Sequence, residues 1–157
     1  MNENTTLNII TVIIILILLA LLMGIIMTAS KRFRKNYKRN ELDEMEGHEF
    51  EYFCADLLRK KGFIDVEVTK ASGDYGIDIL AEKDGVTYGI QCKRYQEPVG
   101  IKAIQEAYAG KEYYDRMVGA VMTNQYFTTP AVNTARKLKI LLWDRGYIDS
   151  MIEEEAI

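Results

Sequence analysis

The 157-residue sequence predicts an α/β fold, one domain with a mixed central β-sheet between helical layers, preceded by a single transmembrane helix. Three observations carry that expectation. Residues 9–29 form an apolar run whose only polar side chains are Thr11 and Thr28. Beyond it, segments of helical and of alternating periodicity succeed one another in the order αβββαβαβ, which suits a sheet covered on both faces. Asp84-Gly85 separates two strand-like segments, a strong signal for a two-residue hairpin, so part of the sheet is antiparallel. With 48% hydrophobic and 27% charged residues and 2 Pro, the chain is neither disordered nor collagenous.

The apolar run comes first in the chain. At about 1.5 Å per helical residue it reaches roughly 30 Å, the thickness of a bilayer's hydrocarbon core. It is too long for a secretory signal core, and residues 1–6 carry no Lys or Arg. Lys31, Arg32, Arg34, Lys35, Lys38 and Arg39 follow it. The positive-inside rule keeps such a cluster in the cytoplasm and leaves residues 1–8 as a short outside tail. The expectation is a single-pass protein of the cell membrane whose C-terminal domain is cytoplasmic and whose basic flank touches membrane lipid. Residues 30–46, basic and then acidic, read as a juxtamembrane linker, and 47–157 as the folded domain.

Within that domain Phe50, Phe53, Leu57 and Leu58 recur at helical spacing until Gly62, predicting a helix over 47–61. Glu51 shares a stripe with Cys54 and Leu58, at the border of the buried face. Residues 64–70 alternate as a half-buried strand, and a polar turn, Ser72-Gly73-Asp74-Tyr75-Gly76, follows. If Asp84-Gly85 is the hairpin turn, Lys83 faces Val86 and Asp78 faces Gln91, with Lys93 diagonal to Asp78. Ile77, Ile79, Ala81, Val86, Tyr88, Ile90 and Cys92 then share one face, and Asp78, Gln91 and Lys93 the other. A helix opened by Pro98 and running to about Tyr114, a strand over 118–123, a helix capped by Thr129 before Pro130, and a strand over 140–143 complete the order. The tail Glu153-Glu154-Glu155 reads as solvated.

The hairpin puts a carboxylate, an amide oxygen and an ammonium within reach of one another. A hard cation such as Mg²⁺ takes oxygen ligands and keeps several waters. Asp78 and Gln91, with Glu51 directly or through water, would serve it, while Lys93 orients or activates a water and offsets charge on a phosphate. A hairpin whose polar face is merely solvated gives the same pattern. Two cysteines, Cys54 and Cys92, and one histidine, His48, are too few and too widely spaced for a Cys/His zinc site. No phosphate-cradling Gly motif is present, so no nucleotide cofactor is expected. Cys92 falls on the core face, and His48 reads as a helix N-terminal residue.

Gly47-His48-Glu49-Phe50-Glu51, Ser72-Gly73-Asp74-Tyr75-Gly76-Ile77-Asp78 and Ile90-Gln91-Cys92-Lys93-Arg94-Tyr95, in that order, resemble the catalytic domain of the Mrr-type restriction endonucleases of the PD-(D/E)xK superfamily. The resemblance covers Gly47 to about Asp144. It implies a restriction-endonuclease-like three-layer sandwich and metal-dependent hydrolysis of DNA phosphodiesters, with Mg²⁺, or alternatively Mn²⁺, as cofactor. Asp78, Gln91 and Lys93 match the family's catalytic positions, and Glu51 its first-helix acid. Gln105 resembles a family position near the site.

Residues 47–157 count 14 Lys and Arg against 18 Asp and Glu. That balance argues mildly against tight DNA binding unless folding gathers a patch around Lys93. Lys60, Lys61, Lys70, Arg94, Lys102 and Lys111 are the candidates, with Arg94 and Lys102 the expected substrate contacts. Two readings follow: a membrane-anchored, Mg²⁺-dependent DNA endonuclease acting in prokaryotic restriction of foreign or modified DNA, or a catalytically inactive nucleic-acid-binding or partner-binding module at the membrane. A double-strand cut by a one-site enzyme would call for a homodimer.

Overall fold

The computed structural model describes residues 12–27, 41–69 and 75–153, in two compact units divided after Asn40. In the first, residues 12–27 are helical and all exposed. The flanking parts of the apolar run, 9–11 and 28–29, lie outside the described residues, as does the basic cluster. Among the described residues no helix is long and apolar enough to cross a membrane. The transmembrane helix expected over 9–29 is therefore not found, since only 16 of its 21 residues, 12–27, are described.

The second unit begins at Glu41. Its elements are α1 (Gly47–Lys60), β1 (Ile64–Val68), β2 (Ile79–Lys83), β3 (Val86–Lys93), α2 (Ile101–Tyr113), β4 (Val118–Thr123), α3 (Thr129–Leu138), β5 (Ile140–Trp143) and α4 (Arg145–Glu153). The five strands form one sheet in chain order. β1, β2 and β3 pair antiparallel, and β4 and β5 run parallel to β3. The sheet is mixed, as the pattern predicts. Its parallel half is connected by α2 and α3, since parallel neighbours need a crossover.

Two apolar clusters cover the two faces. On one, Phe50, Cys54 and Leu58 of α1 and Ile148 and Met151 of α4 pack on Ile79, Ile90, Cys92 and Met122. On the other, Ile104 and Ala107 of α2 and Ala131 and Ala135 of α3 pack on Val121 and Ile140. The result is a three-layer α/β/α sandwich.

Within β2 and β3 the hairpin register agrees residue by residue, and the ladder ends one pair short of the expected Asp78–Gln91. Lys83 pairs with Val86 and Ile79 with Ile90, and Asp84 and Gly85 both take positive φ, 53° and 76°, as a turn matched to the sheet's twist requires. Four details differ from expectation. Ile77 precedes β2 rather than joining its core face, lying 3.1 Å from where a Gly89 Cβ would stand and 2.6 Å from that of Gly110. α2 starts at Ile101, not Pro98, because Val99 is bridged to Phe127 and its N–H donates to Tyr126 O. Thr128, not Thr129, caps α3, its side chain accepting from Ala131 N. α4, over Arg145–Glu153, adds a helix after the last strand of the expected order, because Ile148 and Met151 have core to cover.

The stretch before Gly47 is part of the fold. Residues 41–44 are helical, and Leu42, 2% exposed, belongs to the core cluster of α1 and α4. Asp43 pairs with the buried Arg145 at 2.6 Å and accepts from Asn124 Nδ2 at 2.8 Å. The compact unit thus starts six residues before the expected boundary, because a sequence that turns acidic hides one leucine that the core uses.

Candidate active site

The pocket lies where β2 begins. Asp78 immediately precedes Ile79, and its backbone is held as if in the strand: its N–H donates to Ile90 O and its carbonyl accepts from Thr69 N, both at 2.9 Å. The side chain is buried, 6% exposed, beside Gln91 at 4%. Asp78 Oδ2 accepts from the Cys92 N–H at 2.6 Å and from the Gln91 amide nitrogen. These donors fix the direction in which the carboxyl group points.

Gln91 and Lys93 project from β3 toward the α2 layer, opposite the face to which Ile90 and Cys92 point. Lys93 Nζ meets Glu106 Oε2 of α2 at 2.8 Å. Half-burial alone would lower its pKa, but the hydrogen bond and charge of Glu106 outweigh that and hold it above the ordinary lysine value. Lys93 is a cation at neutral pH. Glu51 reaches the same pocket from α1, with His48 Nδ1 2.8 Å from its Oε2. Glu51, Asp78, Gln91, Lys93 and Glu106, with Tyr75, Gly76, Cys92 and Ala109, line a pocket of about 380 Å³.

All four expected catalytic positions, Asp78, Gln91, Lys93 and Glu51, therefore converge. The expected substrate contacts do not. Gln105 is exposed and is not among the residues that line the pocket with its neighbour Glu106. Arg94, just past the end of β3, is not among the residues that line the pocket and lies within electrostatic reach of Asp43. Lys102 approaches only through Glu106, at 3.7 Å, with its side chain 87% exposed. Lys111 pairs with Glu112, Lys83 with the Lys61 carbonyl, and Lys70 lies outside the described residues. Glu106 is the residue that the sequence did not disclose. Its only prior signal was a position on α2 one residue from Gln105.

Cys54 and Cys92 are both free and buried. A hydrogen bond from the Cys92 S–H to Cys54, then burial, push the Cys92 thiol well above its usual range, so it packs as a small apolar group. His48 is exposed near the start of α1, its ring edge-on to Tyr52.

Whether the pocket suits a divalent cation turns on its donors. Among the described residues no three His, Cys, Asp or Glu stand close enough to enclose a metal. The oxygens of Asp78, Glu51 and Gln91 are nevertheless the hard donors, two charged and one neutral, that such an ion takes when waters and substrate complete its shell. A half-turn of the Gln91 amide exchanges nitrogen for oxygen toward the pocket. The donor set fits.

A mixed five-stranded sheet between helical layers, with an Asp, a Gln and a Lys gathered where its antiparallel hairpin opens, defines a restriction-endonuclease-like nuclease domain. The chain belongs to the Mrr_cat restriction endonuclease family, whose model matches residues 42–152. Among solved structures it is similar to the protein of unknown function AF1548, at 27% identity and a TM-score of 0.58, over 68% of this chain and 65% of that one. The DNA modification-dependent restriction endonuclease AspBHI matches at 16% identity and TM-score 0.59, over 79% of this chain and 36% of its own. MspJI restriction endonuclease, solved in complex with a 27-mer oligonucleotide, matches at 16% and 0.57, over 76% and 30%. At 16% identity the likeness shows the fold alone. This chain spans less than two thirds of each of the three. No curated protein matches the sequence.

Proposed function

We propose that this chain is a metal-dependent DNA endonuclease anchored in the cell membrane, with its catalytic domain in the cytoplasm and a role in restriction of foreign or modified DNA. The observation that carries the catalytic part is the convergence of Asp78, Gln91, Lys93 and Glu51 on one pocket, in a chain of a restriction endonuclease family. The anchor rests on the composition of residues 9–29 and on the basic flank that follows.

Asp78 and Glu51, with the Gln91 oxygen, would hold Mg²⁺ or Mn²⁺. When bound, such an ion polarises a phosphate and lowers the pKa of a water. The rest falls to the chain. The Cys92 N–H keeps Asp78 aimed into the pocket, so the carboxylate need not reorganise when substrate arrives. Glu106 keeps Lys93 protonated and extended, ready to meet the charge that grows on phosphate oxygens during in-line displacement. Protonated, Lys93 is a charge donor and water-orienting group rather than the base that takes the proton from the water.

Asp78→Ala and Lys93→Ala should each lower Mg²⁺-dependent cleavage of plasmid DNA at least about 10²-fold while the far-ultraviolet circular dichroism stays native. Cleavage at the unsubstituted rate in either variant would refute the assignment. One observation favours the second reading, an inactive nucleic-acid-binding module: Gln91 and the Cys92 N–H already engage Asp78, and Lys93 is already tied to Glu106. DNA binding by the full chain with no cleavage of plain, methylated or branched DNA in Mg²⁺ or Mn²⁺ would select it. A homodimer remains part of the proposal for double-strand cleavage.

A further inference from the structure

Tyr75 takes a conformation that bulky residues seldom adopt. Its φ is +48° and that of Gly76 is +83°, both in the left-handed region where an L side chain crowds its own backbone. The turn they make is pressed onto α2. A Cβ at Gly76 would stand 2.8 Å from Glu106 O, and one at Gly110 would stand 2.6 Å from Tyr75 O. Two glycines thus let turn and helix touch through their backbones, and this contact sets Tyr75 over α2.

One helical turn past Gly110, Tyr113 meets it. The two rings stack with centroids 3.7 Å apart and planes 19° from parallel, and Tyr114 stands edge-on to Tyr113 at 5.1 Å. The stack is not buried: Tyr75 is 57% and Tyr113 56% exposed. Rings held this firmly yet left in water forgo much of the burial that normally justifies an aromatic cluster. Tyr75 also lines the pocket of Asp78 and Lys93.

The local charge narrows what such a surface takes. Among the described residues, Glu51, Asp78 and Glu106 share the pocket with Lys93 as its one cation, and Lys111 is committed to Glu112 at 2.7 Å. Duplex held through its phosphates needs a basic surface. An exposed aromatic face instead takes an unpaired base of any sequence, at roughly tenfold to hundredfold in affinity per base.

We propose that Tyr75 and Tyr113 form a base-stacking platform at the mouth of the pocket, so that the preferred DNA presents an unpaired base, at a gap, a flap or a single strand, beside the phosphate to be cut. The phosphate part rests on the nuclease reading above, whereas the stacking part does not.

The test uses the full chain in mild detergent with EDTA, titrated with a duplex whose 2-aminopurine faces a one-nucleotide gap and with the same duplex fully paired. The gapped DNA should bind roughly tenfold more tightly, with its 2-aminopurine fluorescence quenched. Tyr113→Phe should keep that preference. Tyr113→Leu and Tyr113→Ala, which remove the ring with and without its bulk, should reduce the ratio of the two affinities toward one. Equal binding of both DNAs by the unsubstituted chain, or an unchanged ratio in the folded Tyr113→Leu protein, overturns the platform. Cleavage in Mg²⁺ is scored separately: quenching without cleavage of any DNA refutes the nuclease reading and leaves the platform standing, and cleavage indifferent to the gap does the reverse.

Discussion

The Lys93–Glu106 pair decides what Lys93 can do. Desolvation pulls its pKa down and Glu106 pulls it up, and the second prevails. Replacing Glu106 by Gln removes the opposing charge and leaves the desolvation. The titration midpoint of Lys93, read from its ¹³Cε shift, should fall in Glu106→Gln, and a midpoint that stays in place would show that the pair does not set the lysine's charge. The cysteines give a second prediction at this scale. Cys92 is buried, with a thiol pushed up in pKa by Cys54 and by burial, and the thiolate is the reactive form. Iodoacetamide at neutral pH should label neither Cys54 nor Cys92 in the folded chain and both in urea, with mass spectrometry as the measurement.

At the scale of elements, the site is built by a hairpin and a helix brought into backbone contact. The Asp84-Gly85 turn sets the register that puts Asp78 beside Gln91. The Gly76–Gly110 approach then brings α2, and with it Glu106, over β3. Gly110→Ala would place a methyl 2.6 Å from Ile77 Cγ1 and from Tyr75 O. Since the backbone oxygen cannot move without its turn, the substitution should cost about 1–3 kcal/mol in urea unfolding. Gly100→Ala, at the N-cap of the same helix with nothing within 4 Å of the new methyl, should cost less, on the order of 0.5 kcal/mol for the poorer cap. Equal effects from the two would mean that the close approach does not matter.

At the scale of the whole folded unit, its first residues are latched to its last helix. Leu42 fills the core beside α1 and α4, so Leu42→Ala should cost about 2–5 kcal/mol. Asp43 holds Arg145 and Asn124. Burial works to raise the Asp43 pKa, but its bonds to Arg145 and Asn124 prevail and hold it below the ordinary 3.8. A carboxyl whose folded pKa is depressed contributes stability that is fully present above its unfolded value and is lost as pH falls through the folded one. Urea midpoints should therefore decline below about pH 4, and Asp43→Asn, less stable at neutral pH, should show a shallower decline there. A parallel pH profile in the variant would mean that the latch does not titrate.

The sequence by itself determined the hairpin, its register and the grouping of Asp78, Gln91 and Lys93, because a two-residue turn and a two-residue alternation leave no freedom in which side chains face each other. It also determined the mixed α/β architecture and the bounds of β4 and β5 to the residue. What it left out depends on contacts distant along the chain. Glu106 lines the pocket because Gly76 and Gly110 let the turn and α2 touch through their backbones, and nothing local to residues 101–113 reports that contact. Leu42 and α4 belong to the fold because the face of the sheet carrying Ile90 and Met122 needs covering, a demand visible only once both layers are in place. Tyr75 and Tyr113 are 38 positions apart, and only the closed fold stacks them.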